Sequence, residues 1–279
     1  MLVAGLLFAC MGVFVKLGGA HFSSSELVFY RSFFGLIFIT AVLLHKRTTL
    51  ATTHCNGHLW RGLSGTVAMM LFFYCIANLP LATAITLNYT SSLFLTALTL
   101  IIFKDRFHLP LTASLALGFV GVVLLLHPTL ERDQFVSGLM GLTSGFLAGV
   151  ALLNVRQLGL KGEPAVRVVF YFNLVATLFS AIWMAQDDVH PVAASDLPLL
   201  LALGASATFA QLAMTRAYRV GQTQVVSTLS YSTIAFASLF GLLLWQETLP
   251  LEGWLGIVLI IASGVLSLRL APPHTEAGK

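Results

Sequence analysis

One arginine stands inside a long apolar stretch of the sequence. Arg31 falls in a predicted helix, Ser25–Leu44, six residues after its first residue. A charge within a membrane helix costs about 2.5–3.5 kcal/mol on insertion scales, so it needs a compensating partner. Arg31 is therefore a candidate anion-binding or gating residue. The alternative is that its long side chain snorkels to the lipid headgroups.

Two polar clusters interrupt otherwise apolar stretches: Asn88, Tyr89, Thr90 and Ser91, and then Ser230, Tyr231, Ser232 and Thr233. Consecutive residues cannot all face one side of a helix, so some must face a wet cavity or a neighbouring helix. A cavity lining would make them substrate ligands. Interhelical hydrogen bonds would make them structural, at about 0.6 kcal/mol per contact. Both interpretations stay open.

Other polar side chains occur singly in apolar stretches, namely Tyr74, Asn154, Asn173, Gln211 and Tyr218. For any one of them, hydrogen bonding between helices is the favoured interpretation. Several converging would instead form a pocket with apolar walls and a few polar anchors. The predicted substrate-binding set is Arg31, Tyr74, Asn88, Tyr89, Ser91, Asn154, Gln211, Tyr218, Ser230 and Tyr231.

Signatures of enzymes are weak in this chain. Residues 62–65 read Gly-Leu-Ser-Gly, the GxSG of intramembrane serine proteases, but all eight histidines fall in loops or at span ends. A serine nucleophile needs a base within hydrogen-bond reach, so the match is attributed to chance. Motifs for nucleotide phosphates, dinucleotides and catalytic zinc are not found. No catalytic residue and no cofactor is expected.

The cysteines predict neither a disulfide framework nor a metal site. Cys10, Cys55 and Cys75 are an odd, scattered set without CxxC spacing. Small apolar packing is the expected role of each.

Composition points to lipid as the surroundings of the chain. Of 279 residues, 57% are hydrophobic and only 9% are charged, and the mean hydropathy is +0.90. An ordinary soluble domain has about 25% charged residues, so this chain cannot cover itself with polar surface. No basic run interleaved with aromatic residues occurs, and nucleic acid is not an expected partner.

Apolar stretches of about 17 to 25 residues predict an all-α polytopic protein with ten transmembrane helices. The first is treated as a span and not as a signal peptide, because no basic segment precedes it; a short cytoplasmic extension upstream is expected. The predicted spans are Leu2–Leu17, Ser25–Leu44, Leu59–Ala77, Thr83–Phe103, Leu109–His127, Phe135–Val155, Ala165–Ala185, Leu197–Thr215, Thr223–Trp245 and Leu251–Arg269.

The basic residues support ten crossings. If the chain starts inside, 12 of the 15 Lys and Arg residues fall on one side, Lys16 and Arg132 fall on the other, and Arg31 lies within a span. Arg61 is counted among the 12. Such a bias is the positive-inside pattern and predicts that both termini are cytoplasmic.

The two halves of the chain resemble each other. A shift of about 141 residues sets Arg31 against Phe172 within matching Val-Phe-Tyr segments, and one residue further on Tyr89 meets Tyr231. Constant order and offset predict a duplication. Five spans per unit make the second copy enter from the opposite face, giving the inverted repeats typical of alternating-access carriers.

Small residues and carboxylates add two further predictions. Gly141, Gly145 and Gly149 form a stripe at four-residue spacing, which predicts close helix packing. None of the 11 acidic residues lies near the centre of a span, so the usual embedded proton relay is missing. Movement of solute by facilitation or exchange is expected, or ion coupling through helix-end groups such as Asp105 and Glu247.

The chain resembles the drug/metabolite transporter superfamily, specifically permeases with two EamA domains. The resemblance is carried by ten spans in two sets of five, the arginine of FYRSFFGLI, LPLATAITLNYTSSLFLTAL followed by FKDRF, and GQTQVVSTLSYSTIAFASLFGLLLWQETLPLEGWLGIVLIIASGV. The family often has proline where this chain has Ser92, so no helix break is expected at that point. It often has glutamate where this chain has Asp105, and Glu247 restores that pattern.

This resemblance implies a secondary transporter of a small metabolite or drug-like solute, of amino-acid or related type, in the bacterial inner membrane. It implies EamA-like repeats at residues 1–130 and 136–270 and a cytoplasmic tail at 271–279. The expected partners are a small-molecule substrate and the lipid bilayer, and a homodimer is left open. A lipid flippase or a passive channel on the same scaffold is the alternative.

Overall fold

A computed structural model of the chain describes residues 1–79, 81–103, 108–126, 135–246 and 250–270. Within these ranges the backbone is helical and forms no strand. Twelve helical segments lie in the described ranges: α1 Leu2–Gly18, α2 Ser24–His45, α3 Cys55–Asn78, α4 Leu81–Tyr89, α5 Ser91–Phe103, α6 Leu109–Leu126, α7 Phe135–Leu160, α8 Ala165–Met184, α9 Leu197–Val220, α10 Thr223–Ser230, α11 Ser232–Trp245 and α12 Leu251–Leu270.

Several of these helices are long and apolar enough to cross a bilayer. In the described part of the chain seven stretches meet that test by length and composition: Ser24–His45, Ala84–Ile102, Phe135–Leu160, Ala165–Met184, Leu197–Val220, Thr223–Trp245 and Leu251–Leu270. Leu2–Gly18 and Leu109–Leu124 are apolar but shorter. Helix α3 is not among the seven, and its first two turns carry Asn56, His58 and Arg61. The chain is thus a multi-pass helical membrane protein, and ten crossings stay a prediction.

Two of the candidate spans are broken near their polar clusters. The breaks lie at Thr90, between α4 and α5, and at Tyr231, between α10 and α11. At each, the backbone N–H bonds the carbonyl three residues back, Thr90 to Leu87 and Tyr231 to Thr228, both at 3.2 Å. The Thr90 hydroxyl also donates to the Leu87 carbonyl at 2.5 Å and so competes with the regular helical bond. The helix therefore breaks here although Ser92 replaces the proline, and the expectation of no helix break at this point is wrong.

The glycine stripe of α7 packs against α4 and α5, as predicted. A Cβ atom at Gly145 would lie 2.6 Å from the Leu87 carbonyl oxygen, and one at Gly149 would lie 3.2 Å from the Ser91 carbonyl oxygen. Only glycine leaves room for two backbones at these separations. The stripe thus brings α7 against the broken span.

Most of the tightly packed helix pairs join the first half of the chain to the second. Helix α2 packs on α8 and α9, α3 on α7 and α8, α1 on α9 and α11, α5 on α7 and α10, and α6 on α12. When α4 and α5 are counted as one span, and α10 and α11 as another, exchanging each span of the first half for its counterpart five predicted spans later maps these pairs onto themselves. For example, α1 against α9 becomes α7 against α3. The helix packing therefore follows the same periodicity as the sequence duplication.

Candidate functional site

Arg31 lies inside the helix bundle and does not reach the surface. Its side chain is 6% exposed, and its guanidinium donates to the sulfur of Met11 at 3.4 Å and to the sulfur of Met69 at 3.1 Å. The snorkelling alternative is therefore wrong for this conformation. A thioether is a weak acceptor, so both bonds are poor substitutes for an anion.

A second arginine lies beside it. Arg61 of α3 is 4% exposed, although the charge count placed it on the cytoplasmic side, at the start of the predicted span Leu59–Ala77. Its guanidinium carbon stands 4.1 Å from the centre of the Phe172 ring, and Nη2 donates to Oε1 of Gln211 at 3.3 Å. Its Nε is buried and has no hydrogen-bond partner among the described residues. The sequence signal for this position is Gly65, one turn further along α3. With no side chain of its own, Gly65 leaves the space that the long Arg61 side chain fills.

We call Arg31, Arg61, Met69, Phe172 and Gln211 the arginine cluster. The two arginines and Met69 come from the first half of the chain, and Phe172 and Gln211 come from the second. Three helix pairings position the group, α2 with α8, α2 with α9 and α3 with α8. The cluster thus lies at the interface between the halves.

Further buried donors lie close to the cluster. The amide nitrogen of Asn173, next to Phe172, and the hydroxyl of Ser32, next to Arg31, have no hydrogen-bond partner within the described ranges. Asn173 packs near Gly35, one turn beyond Arg31. Buried polar groups in folded proteins are nearly always paired, so these two donors have hydrogen-bonding capacity to spare for a ligand or a water molecule.

The two predicted polar clusters meet each other where the spans are broken. The hydroxyls of Ser92 and Ser230 lie 3.2 Å apart, and the rings of Tyr89 and Tyr231 have centres 6.1 Å apart. Tyr89 also hydrogen-bonds Thr233. The hydroxyl of Tyr231 is buried near Ser92 without a well-oriented bond in the described region. These residues form a polar seam between the halves.

The remaining predicted residues have more local surroundings. Tyr218 is fully buried and its hydroxyl lies 3.3 Å from that of Ser227. Asn88 donates to Ser144, whose hydroxyl donates to the Ala68 carbonyl, so it links α4, α7 and α3. These contacts favour the interpretation that Tyr218 and Asn88 hold the helices together and do not bind substrate.

Two predicted residues lie outside both groups, and a third lies beside the seam. The Asn154 amide donates to Val150 of its own helix, and Tyr74 is 41% exposed. Ser91 is buried beside Gly149 at the break between α4 and α5. Asp105 and Glu247, the helix-end carboxylates singled out for ion coupling, lie outside the described residues.

An ionic network closes one end of the α2 and α8 pair. Glu163, just before α8, accepts hydrogen bonds from Thr52 at 2.5 Å and Arg167 at 2.8 Å, and His54 and His58 each lie 3.3 Å from its carboxylate. Burial alone would raise the pKa of the Glu163 carboxyl, but the hydrogen bonds from Thr52, Arg167 and His54 and the positive charge of Arg167 lower it to about 2. We call this group the Glu163 latch; it joins the α2–α3 loop to the start of α8.

A second network closes the other end. Glu26, in the first turn of α2, caps that helix through Ser23 and accepts the backbone N–H of His190 at 2.7 Å, with the His190 ring nitrogen 2.9 Å away. Ser25 donates to Asp187 at 2.5 Å. Because Asp187 and His190 follow α8, this Glu26 latch joins the start of α2 to the end of α8. Helix α8 is therefore tied at both ends to the first half of the chain, with the arginine cluster between the ties.

No cluster of three metal-ligating side chains occurs among the residues that the structure describes. Cys10, Cys55 and Cys75 are free.

A bundle of apolar helices that buries cations between two similar halves defines a polytopic membrane protein of the transporter class. The model of the EamA-like transporter family matches residues 1–127 and 136–269, and the chain belongs to this family. The chain is 30% identical over 274 residues to an uncharacterized transporter of Helicobacter pylori strain J99, covering 95% of this chain and 92% of that protein. It is 29% identical over 268 residues to the pseudopaline exporter CntI of Pseudomonas aeruginosa, with 95% and 93% covered. The members it resembles are transporters and not enzymes.

A solved crystal structure has the same fold, with a TM-score of 0.84 at 20% identity, covering 96% of this chain and 95% of the other. The fold therefore extends over almost the whole chain.

Proposed function

We propose that this chain is a secondary transporter that moves a small metabolite, of amino-acid or related type, across the bacterial inner membrane by alternating access. It would cross the membrane ten times, as inverted five-helix repeats at residues 1–130 and 136–270, with both termini and the tail at 271–279 in the cytoplasm. The observation that carries the proposal is the arginine cluster, buried between the two halves with a latch at either end.

Alternating access requires a central site that opens to one side at a time. The Glu26 latch joins the start of α2 to the segment after α8, and the Glu163 latch joins the α2–α3 loop and the start of α3 to the start of α8. Breaking the Glu163 latch while keeping the Glu26 latch would expose the cluster at one end, and the reverse would expose it at the other. The latches thus supply the two gates that this mechanism needs.

The repeat arrangement is supported by packing as well as by sequence. The helix pairs between the halves that are named above are unchanged when the spans of the two halves are exchanged. Related halves can adopt each other's conformations, so outward-open and inward-open states would have similar free energies.

Of the predicted binding residues, Arg31 and Gln211 join the cluster, and we propose that they contact the substrate. Tyr89, Ser230 and Tyr231 belong to the polar seam between the halves, and we propose that they line the pathway of the substrate. Tyr218, Asn88, Ser91 and Asn154 make local or interhelical contacts, and we assign them to packing. Tyr74 is exposed and is proposed to face the surroundings of the bundle.

Counterflow in proteoliposomes tests the function. Vesicles loaded with an unlabelled solute and diluted into its labelled form should accumulate label transiently, with saturation, for at least one of a panel of amino acids, organic acids, nucleosides, vitamins and cationic dyes. Flux that never saturates or shows no counterflow would indicate a channel. Transfer of lipid between leaflets with head-group selectivity, and no solute counterflow, would indicate a flippase.

A further inference from the structure

The two buried arginines present their guanidinium groups to the same face of α3. Arg31 reaches this face from α2 and contacts Met69, whereas Arg61 starts on α3 and folds over Gly65. Gly65 and Met69 are one helical turn apart, about 6 Å along the axis. Two positive groups are therefore held within reach of one small ligand.

The described carboxylates do not neutralise this pair. Glu26, Glu163 and Asp187 are engaged in the latches, and Asp188 and Glu252 are exposed. Asp196 accepts a bond from the backbone of Ala193. In this part of the chain, the partners of Arg31 and Arg61 are two sulfur atoms, an amide oxygen and an aromatic ring. Two buried positive charges without a counter-ion repel each other and have lost their hydration. An anion that binds between them is therefore stabilised.

We propose that Arg31 and Arg61 together form the binding site for a carboxylate group, and that the transported solute is an organic acid with net negative charge. This inference rests on the proposed transport function; within the amino-acid or related type proposed above, it selects organic acids over zwitterionic amino acids. One carboxylate oxygen would accept from each guanidinium, replacing the weak sulfur acceptors of Arg31 and the amide acceptor of Arg61.

The surroundings of the site favour an organic anion over an inorganic one. Met11, Met69 and the ring of Phe172 provide apolar contacts for a carbon skeleton. None of the described carboxylates is placed to receive an ammonium group. A zwitterionic amino acid would therefore bring a positive charge toward two existing ones, and we expect it to bind less well than a mono- or dicarboxylate.

The experiment uses the full chain, purified and reconstituted. Binding of succinate, 2-oxoglutarate and lactate is measured by thermal stabilisation and by counterflow, with alanine, betaine and inorganic phosphate as comparison probes. At least one organic acid should bind more than tenfold more tightly than alanine and betaine. Arg31→Gln and Arg61→Gln should each weaken that binding by more than tenfold, and Arg31→Lys and Arg61→Lys should recover part of it.

Arg216→Gln is the matched control, because Arg216 lies on α9 near Gln211 in sequence but is exposed. It should leave binding of the organic acid unchanged. The lysine variants separate a lost anion contact from a misfolded protein, since they keep the charge and the stem of the side chain.

Three outcomes would overturn the assignment: a zwitterion bound as tightly as every organic acid, glutamine variants that bind organic acids as the wild type does, or binding of phosphate alone. Counterflow of amino acids without organic acids would refute the substrate class and leave the transporter proposal intact. Absence of counterflow for every probe would refute the transporter proposal itself.

Discussion

The guanidinium of Arg61 lies on the ring of Phe172, with 4.1 Å between the guanidinium carbon and the ring centre. Arg61 belongs to the first half of the chain and Phe172 to the second. Phe172 is also the residue that the internal repeat sets against Arg31. The same repeat position is thus occupied by Arg31 in the first half and by Phe172 in the second half. Phe172 in turn contacts the other buried arginine, Arg61.

Replacing that ring should weaken the site. Phe172→Leu removes a cation–π contact worth about 2 kcal/mol when desolvated, so we expect a lower unfolding temperature and a higher KM for counterflow. Phe179→Leu, on the same helix at a half-exposed position, is the control and should change neither quantity. An unchanged KM in Phe172→Leu would show that the stack does not position Arg61 for substrate.

Adding a carboxylate at the cluster should imitate a bound anion. In Gln211→Glu the new carboxylate would lie where an amide oxygen now accepts from Arg61 at 3.3 Å. We expect a higher unfolding temperature, because a buried cation gains a counter-ion, and a loss of organic-acid counterflow of more than tenfold. Gln211→Leu serves as control, since it should lower both stability and transport. Full transport by Gln211→Glu would contradict a role for Arg61 in binding.

The Glu163 latch should give stability a defined dependence on acid. The pKa of Glu163 is about 2 in the folded chain against an ordinary value of 4.5. A lowered pKa stabilises the fold above the ordinary value, and this stabilisation is lost as pH falls from about 4.5 toward 2. Arg167, His54 and His58 face this carboxylate, and Thr52 donates to it.

Thermal unfolding measured from pH 6 to pH 3 tests this dependence. Glu163→Gln should be less stable than the wild type near neutral pH, by on the order of 2–3 kcal/mol, and this difference should shrink by more than half by pH 3. Asp188→Asn removes an exposed carboxylate in the loop after α8 and should behave as wild type. A constant difference between wild type and Glu163→Gln at every pH would refute the assignment.

The two latches should act in opposite directions on access to the centre. With Cys10, Cys55 and Cys75 replaced by alanine, a cysteine at Met69 reports access to the cluster. Glu163→Gln should raise its labelling by an impermeant maleimide from the cytoplasmic side, and Glu26→Gln should raise labelling from the outside. Equal effects of both variants on one side would argue against two gates.

The glycine stripe should tolerate no added methyl group at Gly145. A Cβ there would lie 2.6 Å from the Leu87 carbonyl oxygen, so Gly145→Ala must push α7 away from α4, at a cost of about 1–3 kcal/mol. Gly12→Ala in α1 is the matched control, because nothing lies within 4 Å of its added Cβ. Unfolding temperatures in detergent measure both, and equal values would contradict the packing.

Some of the site could be predicted because burial leaves a signal in the residue types. A charge in a span, as at Arg31, and a lone amide, as at Gln211, are costly in lipid and so stand out. Arg61 did not stand out, because a cation near the start of a helix is typical of an inside loop. The contacts of Asn88 and Asn154 were equally hidden, since an amide that bonds Ser144 or its own backbone looks the same in sequence as one that binds a ligand.

The sequence by itself determined that this chain is a helical membrane protein built from two related halves, because hydropathy and repeat spacing follow directly from residue order. It also indicated membership of a transporter family. Only the tertiary structure decided that Arg31 and Arg61 share one face of α3, that the span at Thr90 breaks without proline, and that the Glu26 and Glu163 latches tie the two ends of α8 to the first half of the chain. These relationships join residues far apart in the chain, and packing between helices fixes them.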